Sequence, residues 1–173
     1  MPIRIRATGM AVAALALALM AAPASAASGS PWSPLETGPF VAPAGTRCDF
    51  TLSGEVLSDK ERIRTLETNP DGSPRVQEIV GELIIRYTNV ETGEFVDRNL
   101  TGTALVEYLP DGGFTLSLVG GHMAVGLQPT DEGGPAFLVF TGAGHSVAFA
   151  ADGTRTVMFG HGPVENLCET LVA

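Results

Sequence analysis

The chain has 173 residues, of which 19 are acidic and 10 are basic, and its formal net charge at pH 7 is −9. An acidic surface repels phosphate backbones and anionic lipids, so the composition argues against nucleic acid and membrane surfaces as partners. The acidic residues are dispersed along the chain, which is typical of a charge that serves solubility.

The first 26 residues are predicted to be a secretory signal peptide. Arg4 and Arg6 precede an uncharged apolar run over 10–22, and the small residues Ala24 and Ala26 stand at the spacing that signal peptidase requires. The run is shorter than the roughly twenty apolar residues that cross a bilayer core. We therefore expect a secreted protein that has no membrane anchor after cleavage.

Residues 27–46 are predicted to form a flexible arm. The segment is rich in Pro, Ser and Gly, and its prolines remove backbone donors that regular structure needs. Its two aromatic residues, Trp32 and Phe40, would either dock on the body of the protein or lie in solvent.

Residues 47–173 are predicted to form one all-β domain. Polar and apolar residues alternate over 48–53, which is the period of a strand. Turn sequences rich in Gly, Pro, Asn and Asp separate the strand candidates, as expected for hairpins. The further candidate strands are 62–68, 76–88, 94–101, 104–109, 114–119, 137–150 and 155–160. A helical turn is expected only within 164–171.

About eight strands joined by short hairpins predict an antiparallel meander. In a domain of this size such a meander forms a single β-barrel or, alternatively, a β-sandwich. The barrel is preferred because closure removes the exposed strand edges that promote aggregation.

The two cysteines, Cys48 and Cys168, are predicted to form a disulfide that ties the first strand of the domain to its last segment. Disulfides are usual in exported proteins, whereas thiolate zinc sites bring their cysteines in closely spaced pairs. Closing so long a loop would stabilise the fold by roughly 4 to 5 kcal/mol in the chain-entropy model.

The C-terminal string FLVFTGAGHSVAFAADGTRTVMFGHGPVENLCETLVA combines an apolar strand, a glycine step, an Asp-Gly hairpin and a Gly-His pair before Cys168. It resembles the end of secreted two-cysteine β-domain proteins of actinobacteria, which are largely uncharacterised. The resemblance implies export, a disulfide and a small antiparallel barrel, with a calycin-like or allene-oxide-cyclase-like shape by analogy only. It implies no reaction, ligand or catalytic residue.

The three histidines, His122, His145 and His161, are the candidate ligand-binding residues. Each lies beside a glycine, and strand alternation points each one where the large apolar residues of its strand point. A three-residue loop over 151–153 would pair Val147 with Val157 and place His145 and His161 on one face. A two-residue loop would place those two histidines on opposite faces, but the first register is preferred because it aligns the bulkier faces.

Two interpretations of the histidines remain open. They could cluster in the mouth of a barrel, or each could be a separate residue that is hydrogen-bonded to backbone or faces solvent. The second is preferred, because no His-x-His or His-Glu-x-x-His spacing is present to bring metal ligands together. No metal, cofactor or catalytic residue is therefore assigned.

The other motifs indicate structure rather than chemistry. No serine lies in a Gly-x-Ser-x-Gly sequence, so a hydrolase nucleophile is not predicted. Gly120-Gly121 and the glycines Gly142 and Gly144 are interpreted as strand bends. The carboxylates of Asp131 and Glu132, in a Gly- and Pro-rich loop, are expected to be solvated rather than to bind calcium.

The sequence thus predicts a secreted, non-enzymatic protein that binds a small apolar ligand or a protein partner. The alternative is a small-barrel enzyme, of isomerase or cyclase type, that uses interior histidines and an acid such as Glu107. The non-enzymatic role is preferred because spacing assembles no nucleophile, base and orienting group.

Overall fold

The computed structural model of the protein describes residues 30–172. The predicted signal peptide, 1–26, and the start of the predicted arm lie outside the described residues. The elements are, in chain order, β1 (Ser33–Pro34), β2 (Phe40–Ala42), β3 (Leu52–Asp59), β4 (Arg62–Thr68), β5 (Pro74–Gly81), β6 (Leu83–Asn89), β7 (Phe95–Asn99), β8 (Gly102–Tyr108), β9 (Phe114–Leu127), β10 (Ala136–Gly142), β11 (Ser146–Phe149), β12 (Arg155–Met158), β13 (Val164–Asn166) and α1 (Leu167–Thr170).

The strands form two antiparallel sheets, a large one of nine strands and a small one of four. The large sheet has the order β1-β4-β5-β8-β9-β10-β13, with β11 beside β9 and β12 beside β11, and the small sheet has the order β2-β3-β6-β7. The all-β, antiparallel class and the meander of hairpins are confirmed. The preferred single barrel is corrected, because strand pairing within residues 30–172 gives two sheets and no closed ring.

Several strands that carry separate labels are halves of longer strands that pass from one sheet into the other. β5 is followed after one residue by β6, and the two belong to different sheets. Their shared partner strand bends with them, since Arg62 pairs with Val80 and Asp59 pairs with Leu83. The sequence predicted one strand over 76–88, and the bend divides it. Corners at which strands change sheets are how orthogonally packed sheets are joined.

A row of glycines marks the bends. Gly81 pairs with Gly102, Gly102 pairs with Gly121, and Gly121 pairs with Gly142 on the next strand. The φ angles of Gly121 and Gly142 are 98° and 116°, which residues with a side chain rarely adopt. A Cβ on Gly121 would also lie 2.5 Å from the carbonyl oxygen of Thr101. Of the glycines that the sequence analysis interpreted as strand bends, Gly121 and Gly142 belong to this row, whereas Gly81 and Gly102 were not singled out there.

Two apolar clusters lie on opposite faces of the layer that β10 and the second half of β9 form. Val139, on one face of β10, packs in a cluster with Tyr87 of the small sheet. Phe140, the next residue and therefore on the other face, packs in a cluster with Leu118 and Val147 of the large sheet. The large sheet thus folds back on itself, and the small sheet covers the remaining face.

The disulfide between Cys48 and Cys168 is formed, with the two Cα atoms 5.2 Å apart. It connects the segment before β3 to α1, as predicted. Asn166 caps α1, because its side-chain oxygen accepts a hydrogen bond from the backbone N–H of Cys168 at 3.1 Å. The helical turn expected near the C-terminus is confirmed.

The described part of the predicted arm, 30–46, contributes two short strands. β1 pairs with β4, and β2 pairs with β3. Phe40 docks on the body, where its ring stacks on that of Phe137 at 5.6 Å between centroids. The guanidinium of Arg64 lies 4.5 Å from the ring of Trp32. Both aromatic residues therefore make contacts with the domain.

Candidate functional site

A trough lies between the two sheets, along one edge of β9. We call its deeper part the inner chamber, with a volume of about 330 Å³, and its more open part the outer chamber, with a volume of about 730 Å³. The chambers adjoin, since both are lined by Phe40, Leu116, Ala124 and Phe137. Each volume falls within the range of small-molecule sites.

The edge of β9 that borders the trough has no strand partner beyond Gly121 within residues 30–172. The N–H of His122 donates to the carbonyl oxygen of Thr101 at 3.1 Å, so the backbone groups of His122 point away from β10. Backbone groups point to alternate edges along a strand, so those of every second residue after His122 also point away from β10. Ala124 and Gly126 therefore direct their backbone N–H and C=O groups along the trough. These groups provide hydrogen-bonding capacity on an otherwise apolar surface.

The inner chamber has apolar walls from both sheets. The small sheet contributes Leu83, Ile85 and Tyr87, and the large sheet contributes Ile79 and Ala104. The residues from the small sheet are buried, whereas those from the large sheet are only partly buried. Burial also raises the pKa of the Tyr87 hydroxyl.

Glu61 and His122 are the titratable groups of the inner chamber apart from Tyr87. The Glu61 carboxylate accepts a hydrogen bond from the Thr37 hydroxyl at 2.8 Å. Burial raises the pKa of Glu61 and outweighs the opposing effect of that hydrogen bond, while the charge of Asp59 raises it further. The Nδ1 atom of His122 lies 3.4 Å from the carbonyl oxygen of Thr101, at the limit of hydrogen bonding.

Two arginines, Arg47 and Arg155, line the outer chamber. Asp131 is buried and accepts hydrogen bonds from the backbone N–H groups of Gln128 and Arg155, at 2.6 and 2.8 Å, and from the Arg155 guanidinium at 3.3 Å. Burial acts to raise the pKa of Asp131, but these hydrogen bonds outweigh it and lower the pKa. The expectation that this carboxylate is solvated is therefore wrong, because the loop folds it onto β12.

Arg47 lies over the face of β9 at Gly126, beside the unpaired edge of the strand. Its Nε atom is 2.6 Å from the position that a Cβ on Gly126 would take, so a side chain at that position would displace the Arg47 guanidinium. Burial lowers the pKa of Arg47, and the charge of Arg155 lowers it further, while Asp131 opposes both. The guanidinium forms no ion pair with any carboxylate of residues 30–172.

His145 is held by the backbone. It is buried, its Nδ1 atom accepts a hydrogen bond from the N–H of Gly160 at 3.0 Å, and its Nε2 atom lies 3.3 Å from the carbonyl oxygen of Thr141. A backbone N–H can only donate, so the ring proton resides on Nε2 and donates to Thr141. Both ring nitrogens are therefore occupied within the fold.

The three histidines occupy different environments. Val147 pairs with Val157, as the preferred hairpin register predicted, yet His145 is buried and His161 is exposed. The alternation that would have placed them on one face is interrupted at the glycine bends. Of the three, only His122 lines the trough.

Further candidates are placed by the structure as follows. No group of three His, Cys, Asp or Glu side chains within residues 30–172 is arranged to hold a metal ion. Glu107, the acid suggested for the enzymatic alternative, is exposed near the end of β8 and does not line the trough. In the same part of the chain, no helix is long and apolar enough to span a membrane.

Sequence reasoning missed Arg47, Glu61 and Phe40 as residues of the site. Arg47 and Glu61 are isolated charges in segments without a motif, and only the folding of the two sheets brings them to one trough. The neighbouring Cys48 was a usable signal for Arg47, because a disulfide fixes the backbone of the adjacent residue.

No protein-family model, curated protein or solved structure matches this chain.

Proposed function

We propose that the protein is exported and binds a small apolar ligand in the trough without changing it chemically. The observation that carries this proposal is the incomplete burial of apolar side chains that face the trough, including Ile79, Leu116 and Phe40, beside a fully packed core. A ligand that covers these side chains would gain a binding free energy of roughly 25 cal/mol for each Å² of apolar surface removed from water. Preformed apolar clefts with a few polar groups are the usual form of a ligand site.

Export is supported by the leader-like composition of 1–26 and by the Cys48–Cys168 disulfide, since such bonds persist in oxidising compartments. The same cysteine pair supports kinship with the secreted two-cysteine β-domain proteins of actinobacteria. In this proposal the bent meander acts as a barrel-like cup whose interior is the trough.

A binding role accounts for the site better than the enzymatic alternative. That alternative depended on several interior histidines, whereas His145 is engaged by backbone and His161 faces solvent. In the inner chamber the Thr37 hydroxyl donates to Glu61, while the recorded contact of the His122 ring is with the Thr101 carbonyl oxygen, so the two groups do not form a relay of nucleophile, base and orienting group.

The test is titration of the purified protein with decanol, a neutral apolar probe, followed by isothermal calorimetry. Ala124 lines both chambers, so the variant Ala124→Leu should fill part of the trough and weaken binding. Val119→Leu, at an exposed position of the same strand, is the matched control and should bind as the wild type does. Absence of decanol binding to the wild type, or equal binding to the Ala124→Leu variant, would overturn the proposal.

A further inference from the structure

In the outer chamber, Arg47 has no ion pair with a carboxylate of residues 30–172. We infer that the ligand is an anionic amphiphile, a monocarboxylate with an alkyl chain, whose head group binds Arg47 while its chain extends into the inner chamber. The inference rests on the proposed function, since it specifies the chemistry of the ligand in the same trough.

Within residues 30–172, Arg47 differs from five of the six other arginines, and the sixth, Arg62, is exposed. Five of them form ion pairs with carboxylates: Arg64 with Glu78, Arg75 with Glu67, Arg86 with Asp97, Arg98 with Glu165 and Arg155 with Asp131. Arg47 is only partly exposed, and among the described residues its guanidinium makes a single, long hydrogen bond, 3.5 Å, to the carbonyl oxygen of Thr46. A partly desolvated guanidinium without a counter-ion is unfavourable, so a bound anion would stabilise it.

The neighbouring charges leave one positive charge at this end of the trough. Asp131 is already engaged by its hydrogen bonds with Gln128 and Arg155, and its charge offsets that of Arg155. Burial first, and Arg155 second, lower the pKa of Arg47, so both act against its charge. A ligand carboxylate would supply the compensation that Asp131 only partly gives.

The geometry around Arg47 also suits a carboxylate. A guanidinium presents paired N–H donors that match the two oxygens of a carboxylate. The adjacent edge of β9 adds the backbone N–H groups of Ala124 and Gly126, which face the trough. Apolar side chains, including Phe137 and Leu116, begin directly beside this polar end and continue into the inner chamber. A charged head followed by an apolar passage is the complement of an amphiphile.

The disulfide fixes Arg47 in place. Cys48, the next residue, is buried and bonded to Cys168 of α1. The backbone of Arg47 therefore cannot swing away from β9 when the trough is empty, which reduces the ordering cost of binding.

The test compares decanoate, decanol and decyltrimethylammonium, which share one alkyl chain and differ in head-group charge. Wild-type protein should bind decanoate about tenfold or more tightly than decanol, and the cationic probe most weakly. Arg47→Met keeps an unbranched side chain over Gly126 but lacks the guanidinium, and it should remove the preference for decanoate. Arg47→Lys should restore part of it, and Arg75→Met, at an exposed arginine outside the trough, should leave it unchanged.

The outcomes separate the two proposals. Equal affinity of the wild type for decanoate and decanol would overturn the head-group inference and leave the binding function standing. Failure of both probes to bind would overturn the binding function itself. If Arg47→Met does not fold, an NMR titration of the wild-type protein tests the inference instead. Decanoate should then shift the amide resonance of Gly126 more than decanol does, and equal shifts would overturn the inference.

Discussion

The imidazole of His145 joins two strand runs where their ladder is interrupted: its Nδ1 atom accepts the N–H of Gly160 at 3.0 Å. An isolated bridge between Ala143 and His161 lies on one side of it, and the ladder of β11 with β12 begins at Ser146 and Met158 on the other. The side chain thus takes the place of a missing ladder bond next to the bends.

Replacement of His145 by alanine should destabilise the fold strongly. The change leaves the N–H of Gly160 and the carbonyl of Thr141 without their partners and opens a cavity beside Phe140. We expect a loss of about 2 to 4 kcal/mol in the free energy of unfolding, measured by urea titration. His161→Ala, at an exposed position, should change it by less than about 0.5 kcal/mol. Equal effects of the two substitutions would contradict the role assigned to His145.

Adjacent glycines of β9 offer a matched test of the bends. Gly121→Ala should cost about 2 kcal/mol or more, because φ is 98° and the new Cβ would meet the Thr101 carbonyl oxygen at 2.5 Å. A Cβ on Gly120 meets nothing within 4 Å, and the φ of Gly120 is not in the positive region. Gly120→Ala should therefore be nearly neutral in thermal unfolding. A neutral Gly121→Ala variant would show that the bend does not depend on glycine.

Removal of the disulfide should affect both stability and the trough. Combined replacement of Cys48 and Cys168 by serine should lower the free energy of unfolding by about 2 to 5 kcal/mol. It should also weaken decanoate binding more than decanol binding, because the segment that carries Arg47 is released. Calorimetry on the folded variant at low temperature measures the second effect. An unchanged preference for decanoate would show that the disulfide is not needed to position Arg47.

Glu61 should make stability depend on pH with a distinctive sign. Burial raises its pKa in the fold above the ordinary value of 4.5, so the folded state favours the protonated carboxyl. The contribution of Glu61 to the free energy of unfolding is fully present at a pH below its ordinary pKa, and it is lost as the pH rises through the raised pKa. Glu61→Gln should thus be more stable than the wild type at pH 7, and the difference should shrink on acidification.

The control for Glu61 is Glu82, whose pKa is lowered in the fold rather than raised. Hydrogen bonds from Lys60 and Ser58 lower the pKa of Glu82, so its contribution is present at neutral pH and is lost as the pH falls. Glu82→Gln should not raise stability at pH 7. Urea titrations of both variants between about pH 3 and 8, which extend to both sides of the ordinary carboxyl pKa, test the signs. Parallel pH profiles for the two variants would contradict the assignment.

The sequence was informative where the structure is local. Period-two alternation and Asp-Gly turns predicted the hairpins, and the register of Val147 with Val157 followed from matching apolar faces. The divided strands were not predictable in this way, because the run over 76–88 has the composition of one continuous strand and a single glycine, Gly81, is the only mark of the corner within it. The two-sheet arrangement arises because β7 pairs with β6 in the small sheet and not with the second half of β9. Local sequence patterns do not encode this tertiary pairing.

The site was less predictable than the fold. The histidines attracted attention because imidazole carries chemistry, but two of the three serve the backbone or face solvent. Arg47 and Glu61 reach the trough through contacts between segments distant in sequence, and apart from Cys48 beside Arg47 their immediate neighbours do not identify them.

The aligned glycines have a consequence for how the chain can vary in length. They form a crease across successive strands. A one-residue insertion between a hairpin and the crease would place a residue with a side chain at the crease. It would also move every side chain beyond the insertion to the opposite face of the sheet. Growth or shortening of the chain is therefore confined to the hairpin tips, while the distance from each tip to the crease is held constant.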